Sequence, residues 1–152
     1  MQYLLKNIGL DAAFNYKTQD ARAELDKASS KGLDIYVDLV GNETLDIALE
    51  KIKDNGLVVA VGNFESVAGK VDYVFKNMMQ IIFKALTVQG FAVFQHLHRY
   101  LDFWADVKPR VVSGQIKIQD TVVVGLEKIA EAYVDYLNGK YTGKVIIQVN
   151  SL

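Results

Sequence analysis

The chain has 152 residues, 51% of them hydrophobic, which is enough for a real core in one domain of ordinary size. Its 17 basic and 18 acidic residues nearly cancel, so no field exists to gather nucleic acid or anionic lipid, and neither is expected as a partner. The absence of cysteine removes disulfides, thiolate nucleophiles and cysteine-ligated zinc together, and suits a reducing, cytoplasmic location. No window approaches the ~20 apolar residues of a membrane span, and the N-terminus lacks the charged and apolar regions of a secretory signal.

In chain order, residues 2–8 read as the end of a helix closed by Gly9, and AAFNY (12–16) as a short strand with Tyr16 and Lys17 at its exit. TQDARAELDKASS (18–30) predicts a polar helix, with Thr18 as N-cap and Gly32 just beyond the end. LDIYVDLV (33–40) is almost continuously apolar and β-branched, the pattern of a strand covered on both faces. Leu45, Ala48, Leu49 and Ile52 then recur at helical spacing, with Asn42 as cap, Glu43 and Asp46 in the first turn and Gly56 at the end. LVVAVG (57–62) is a second buried strand; a helix over 72–84 and a third strand, LTVQGFAVF (86–94), follow. Strand and helix alternating at this spacing predict a doubly wound parallel sheet.

The last third differs in character. Leu97, Leu101, Trp104, Val107 and Val111 form one helical stripe, interrupted late by Pro109. KIQDTVVV comes next, then a helix with Leu126, Ile129, Ala130, Tyr133 and Leu137 inward, then the strand KVIIQV (144–149). The expected division is 1–95 for the nucleotide-type domain and 96–152 for a segment packing beside it.

In open parallel sheets ligands bind beyond the carboxyl ends of the strands. Those ends are Val40-Gly41-Asn42, Val61-Gly62-Asn63 and Phe91-Ala92-Val93. A glycine there lets a ligand approach the backbone, although a turn alone would also require one. His96 and His98, two apart, point to different sides of a helix and belong to no set of metal ligands, so an exposed loop-to-helix segment is the favoured reading, and no G-x-S-x-G elbow supports a Ser/His/Asp triad. Asp34 and Asp38 share one side of their strand by parity, and structural use of both is the favoured reading. The glycine loop G-x-G-x-x-G that seats a pyrophosphate is absent from these residues.

FNYKTQD, DIYVDLVGNETLD, AVGNF, FKNMMQIIFKALTVQGFAVF and VVSGQIKIQDTVVVGLEKIAEAYVDYLNGKYTGKVIIQV, in this order, resemble the C-terminal half of the medium-chain dehydrogenase/reductase superfamily. The branch is that of the zinc-independent prostaglandin and alkenal reductases. The resemblance implies an α/β fold: a partial Rossmann-type doubly wound parallel sheet, with a C-terminal segment that packs with a catalytic domain. It implies NADP(H) as cofactor, and reduction of the carbon–carbon double bond of α,β-unsaturated aldehydes and ketones. Position by position, Tyr16 matches the tyrosine of an N-Y-K element at the adenosine phosphate end of NADP. Gly41 falls in a D-N-V-G-G turn in which Leu39 and Asn42 depart from the usual residues. Val61, Gly62 and Asn63 match the lining of the nicotinamide side, and Phe91, Ala92 and Val93 a strand end whose backbone meets the carboxamide. Tyr141 stands where asparagine is frequent.

The resemblance further implies a homodimer through the strand around Val88–Val93, and a missing neighbour for the strand at 33–40. These residues then read as a fragment, inactive alone. The alternative is a non-catalytic module derived from such an enzyme that pairs through exposed strand edges.

Overall fold

The computed structural model describes residues 1–16, 18–64, 69 and 72–149. The chain divides into two compact units, residues 1–98 and 99–152. Among the described residues no helix is long and apolar enough to cross a membrane.

Unit 1 opens with a wide helical turn, Tyr3–Ile8, closed by Gly9 in the left-handed region at φ 88°. Residues 12–16, expected as a strand, form none. A strand needs a neighbour to take its N–H and C=O groups, and this segment instead ends in a turn. There Asn15 O accepts Thr18 N–H and Gln19 N–H, and Gln19 Oε1 accepts Asn15 N–H at 2.8 Å. Helix α1, Ala21–Ala28, is capped by Asp20, not Thr18: the Asp20 carboxylate accepts Ala23 N–H at 3.0 Å. Two ion pairs, Arg22 with Glu50 and Lys51 with Asp26, tie α1 to α2, Asn42–Lys51.

Strands β1 (Leu33–Asp38), β2 (Ile52–Ala60) and β3 (Thr87–Gly90) form a parallel sheet in the order β1-β2-β3. This is the parallel α/β architecture the residue pattern predicts. Leu49 of α2, Ile52 and Val58 of β2, and Leu86 make the core, with Leu33, Tyr36, Leu45 and Ile81 packed against it. One face of β1 departs from expectation. Ile35, Val37 and Leu39 are 60%, 55% and 59% exposed, because α2 covers only the face that carries Tyr36 and Asp38.

The end of α2 also differs. The helix stops at Lys51, and Gly56 lies inside β2, within the register shift between the pairs Leu33–Ile52 and Ile35–Leu57. What closes the helix is Lys84, whose ammonium donates to Glu50 O at 2.7 Å, Ile52 O at 2.9 Å and Leu49 O at 3.4 Å. Gly56 serves packing: a Cβ there would strike the Ile52 side chain and approach the Lys53 and Asp34 carbonyls to 2.9 and 3.1 Å.

The helix expected over 72–84 is reduced to α3, Met79–Phe83. Buried Asp46 takes the groups that an earlier helical start would have used. Its carboxylate accepts Tyr73 Oη–H at 3.0 Å, Lys76 N–H at 3.1 Å and Asn77 N–H at 2.8 Å, while Asn77 Nδ2 donates to Asp46 O at 3.0 Å. β3 ends at Gly90, four residues before the expected end, and Val93–Arg99 coil into a 3₁₀ helix.

Unit 2 contains α4 (Tyr100–Val112), β4 (Asp120–Val124), α5 (Ile129–Leu137) and β5 (Lys144–Gln148). α4 continues through Pro109 and ends where Ser113 N–H bonds Pro109 O at 2.9 Å, so the proline costs one internal bond without stopping the helix. β4 and β5 form a parallel pair, from Asp120 opposite Lys144 to Val124 opposite Gln148. The inward set expected for α5 is corrected: Leu126, Ile129, Ala130 and Tyr133 are exposed, Leu137 is half-buried, and Ala132 is the buried residue. A sheet of two strands is too narrow to cover that apolar stripe.

Candidate functional site

The site is built by register. Asp38 stands beside Ala60, and Ala60 beside Gly90, so the three strands of unit 1 end in one row. Each chain leaves its strand at the same edge, which brings Gly41, Val61-Gly62-Asn63 and Phe91-Ala92-Val93 to one side of the sheet. This is the edge at which parallel sheets take ligands.

The strand exits are joined by backbone bonds. Val61 N–H and Gly62 N–H donate to Asp38 O at 2.9 and 3.2 Å, Phe64 N–H to Leu39 O at 3.3 Å, and Phe91 N–H to Ala60 O at 2.8 Å. The Asp38 side chain, 2% exposed, accepts Gly41 N–H at 3.1 Å and Tyr36 Oη–H at 3.3 Å, which makes it a structural acceptor. Burial, with the Asp38 charge added, pushes the Tyr36 hydroxyl up to about 12, so this donor keeps its proton across the ordinary pH range. Asp34, at the entrance of β1, pairs with Lys53 at 2.8 Å.

Gly41 has φ 83° and ψ −164° and precedes α2; Asn42, expected as the cap, is instead the first helical residue, at φ 46°. Gly41 O receives the Thr44 hydroxyl at 2.8 Å. Gly62 has room, since a Cβ there would find Leu39 O at 3.5 Å as its nearest neighbour. Val61, Phe91 and Val93 are exposed along the row. The Phe91 ring carries the His96 imidazole stacked on it, with centroids 4.7 Å apart and planes 8° from parallel. Residue spacing offers His96 as part of an exposed loop-to-helix segment and gives it no place in a site. Its place over the strand end follows from the 3₁₀ turn, which residue spacing did not foretell.

Two of the expected residues are not members of this row. Tyr16 is exposed in the turn before α1, and Lys17 lies outside the described residues. Tyr141 belongs to unit 2, where its hydroxyl donates to Asp135 at 3.2 Å beside the Lys140–Asp135 pair. Burial, then that hydrogen bond, raises its pKa. Unit 2 also has a largely apolar hollow of about 390 Å³ between α5 and β5, with Tyr133, Tyr136 and Lys144 in its wall.

The residues fit one half of a nicotinamide dinucleotide. Backbone polar groups and Gly62 at the strand ends suit a flat ring with an amide substituent, whereas the sequence offers no G-x-G-x-x-G for a pyrophosphate. They do not fit zinc: the chain has no cysteine, and among the described residues no three of His, Asp and Glu converge.

Residues 2–108 match the family model of the zinc-binding dehydrogenases. A zinc-type alcohol dehydrogenase-like protein of Schizosaccharomyces pombe is 34% identical, the match covering 93% of this chain and 41% of that protein. The NADP(+)-dependent 2-alkenal reductase of Nicotiana tabacum is 33% identical over 97% of this chain and 43% of its own length. Among solved structures, CurA of Vibrio vulnificus in complex with NADPH superposes with a TM-score of 0.88 at 27% identity, covering 99% of this chain and 47% of CurA. The chain thus spans a little under half the length of these relatives.

Proposed function

The chain belongs to the zinc-binding dehydrogenase family, within the medium-chain dehydrogenase/reductase superfamily, and on that premise we propose that it forms the nicotinamide side of an NADPH-dependent oxidoreductase. The observation that carries this reading is the row Asp38, Ala60, Gly90, which aligns Gly41, Val61, Gly62, Asn63, Phe91, Ala92 and Val93 along one ligand edge. In the proposal these residues line the nicotinamide, with the backbone of Phe91, Ala92 and Val93 meeting its carboxamide, while the N–H groups of Gly41, Val61, Gly62 and Phe91, bonded to Asp38 and Ala60, hold the edge in shape. Tyr16 contacts the adenosine phosphate end, and Tyr141 contributes from the C-terminal segment, residues 96–152.

The reaction proposed is reduction of the carbon–carbon double bond of an α,β-unsaturated aldehyde or ketone, without zinc, in the cytoplasm. When bound, NADPH supplies hydride to the β-carbon. The chain's own task is to hold the ring flat against the strand ends and to exclude water from its buried face. Because G-x-G-x-x-G is not among its residues, the chain alone is expected to bind NADPH weakly and to turn over no substrate.

A homodimer through β3 is part of the proposal. All four residues of Thr87–Gly90 are exposed and the strand lies at the sheet edge, free to pair with a second copy. Phe91 N–H donates inward to Ala60 O, so by alternation the Val88 N–H faces the open edge, and Val88→Pro, which removes that outward donor, should then lower the sedimentation-derived mass toward that of a monomer. A second reading, a non-catalytic module pairing through β1, is favoured by the place of β1 at the other edge of the sheet, where Ile35 and Val37 are exposed.

Saturation-transfer NMR with NADPH reads weak binding and separates the two ends of the ligand. Transfer to the nicotinamide protons above that to the adenine protons supports the oxidoreductase reading. Transfer to neither, at millimolar NADPH, overturns it and leaves the pairing module.

A further inference from the structure

We propose that Gly41 is a positioning residue for Asn63: the space a side chain would take at residue 41 is the seat of the Asn63 carboxamide. A Cβ at Gly41 would stand 2.5 Å from Asn63 Cγ, 2.5 Å from Oδ1 and 2.9 Å from Nδ2. All three distances lie inside van der Waals contact. The backbone agrees with the packing, since φ 83° with ψ −164° is a region that only glycine occupies readily. Gly62, with nothing nearer its Cβ direction than Leu39 O at 3.5 Å, carries no such burden. The glycine of the first turn therefore serves the protein's own amide, while the open approach to the backbone lies at the second.

The seat is held from several sides. Asp38 fixes Gly41 through its N–H at 3.1 Å, and Tyr36 fixes Asp38 at 3.3 Å. In the opposing loop, Gly62 N–H on one side of Asn63 bonds Asp38 O at 3.2 Å, and Phe64 N–H on the other bonds Leu39 O at 3.3 Å. Asn63 is thus gripped through both chain neighbours, with its side chain lodged on Gly41. A carboxamide presents two donors and an acceptor in one plane, so holding it still gives the ligand edge a directional polar group. The partner it would orient is a planar amide such as that of nicotinamide; this last step rests on the NADPH reading above.

The test needs no cofactor at first. In the wild-type chain, a nuclear Overhauser contact between a Gly41 Hα and the Asn63 side-chain amide protons is expected, and its absence overturns the seat. A double-mutant cycle then measures the coupling. Asn63→Ala removes the three contacting atoms, so the loss of Tm caused by Gly41→Ala should fall to less than half in the Asn63→Ala background. Equal losses in both backgrounds overturn the proposal, and the Overhauser contact still decides should Gly41→Ala fail to fold. For the ligand, saturation transfer to the nicotinamide protons should drop by at least half in Asn63→Ala, with the Tm close to that of the wild type. Unchanged transfer overturns the orienting role. No transfer in the wild-type chain would instead sink the NADPH reading, and the seat would still stand or fall on the Overhauser contact and the cycle.

Discussion

The Asp46 carboxylate accepts the Asn77 backbone N–H at 2.8 Å across 31 residues of sequence, and so ties α2 to the segment that leads into α3. Asp46 is 1% exposed and also receives Lys76 N–H and the Tyr73 hydroxyl. Asp46→Ala should cost about 2–4 kcal/mol, because two N–H groups and a hydroxyl lose a charged acceptor inside the fold. Asp46→Asn, which keeps one acceptor oxygen, should cost roughly half as much. Urea midpoints at constant m-value check both, and a neutral Asp46→Ala would show the clamp to be idle.

The same clamp predicts a pH dependence. Desolvation first, then the hydrogen bond to Asp46, pushes the Tyr73 hydroxyl from 10.0 up to about 12. The folded state therefore prefers the protonated phenol. The stability this supplies is fully present below pH 10.0 and is lost as pH rises through about 12. Tm measured across that window should fall less steeply in Tyr73→Phe than in the wild type, and parallel curves would contradict the assignment. Tyr36, also raised to about 12, supplies a residual slope that both proteins share.

Lys84 closes α2 from outside the helix, with its ammonium on the carbonyls of Leu49, Glu50 and Ile52. Lys84→Met keeps the aliphatic stem and removes three charge-assisted bonds at the negative end of the helix, for a loss of about 1–2 kcal/mol. Lys84→Arg should recover only part of it, since a planar fork does not converge on three carbonyls as an ammonium does. Thermal melts of the three proteins give the comparison.

Gly56 is packed, not capping. Gly56→Ala should cost about 1–3 kcal/mol, because its Cβ meets the Ile52 side chain and the Lys53 carbonyl, at 2.9 Å, inside a closed strand pair. Were Gly56 a helix-ending residue, the same change would act through the helix C-terminus. Amide exchange separates the two: Gly56→Ala should speed exchange in Leu57–Ala60 and leave α2 unaffected.

Much of unit 1 was legible in the residues. The apolar and β-branched runs at 33–40, 57–62 and 86–94 and the 3.6-residue apolar period between the first two are local signals, and each became an element of the expected type, with different ends. The edge at which the strands exit was legible for the same reason: once strands are parallel, their exits share one side. Asp46 could have been found, since it precedes Leu49 by three on the inward face of α2, where a carboxylate requires partners.

Short-range periodicity, then, was enough for the α/β class and for the succession of strands and helices along the chain, though not for the residue at which each strand stops. Tertiary structure alone decided what the turns do. Whether Gly41 admits a ligand or an Asn63 amide, whether 72–78 coils into helix or is captured by Asp46, and whether 12–16 finds a strand to pair with depend on groups tens of residues away. A pattern of neighbouring residues carries no record of what arrives in space beside them.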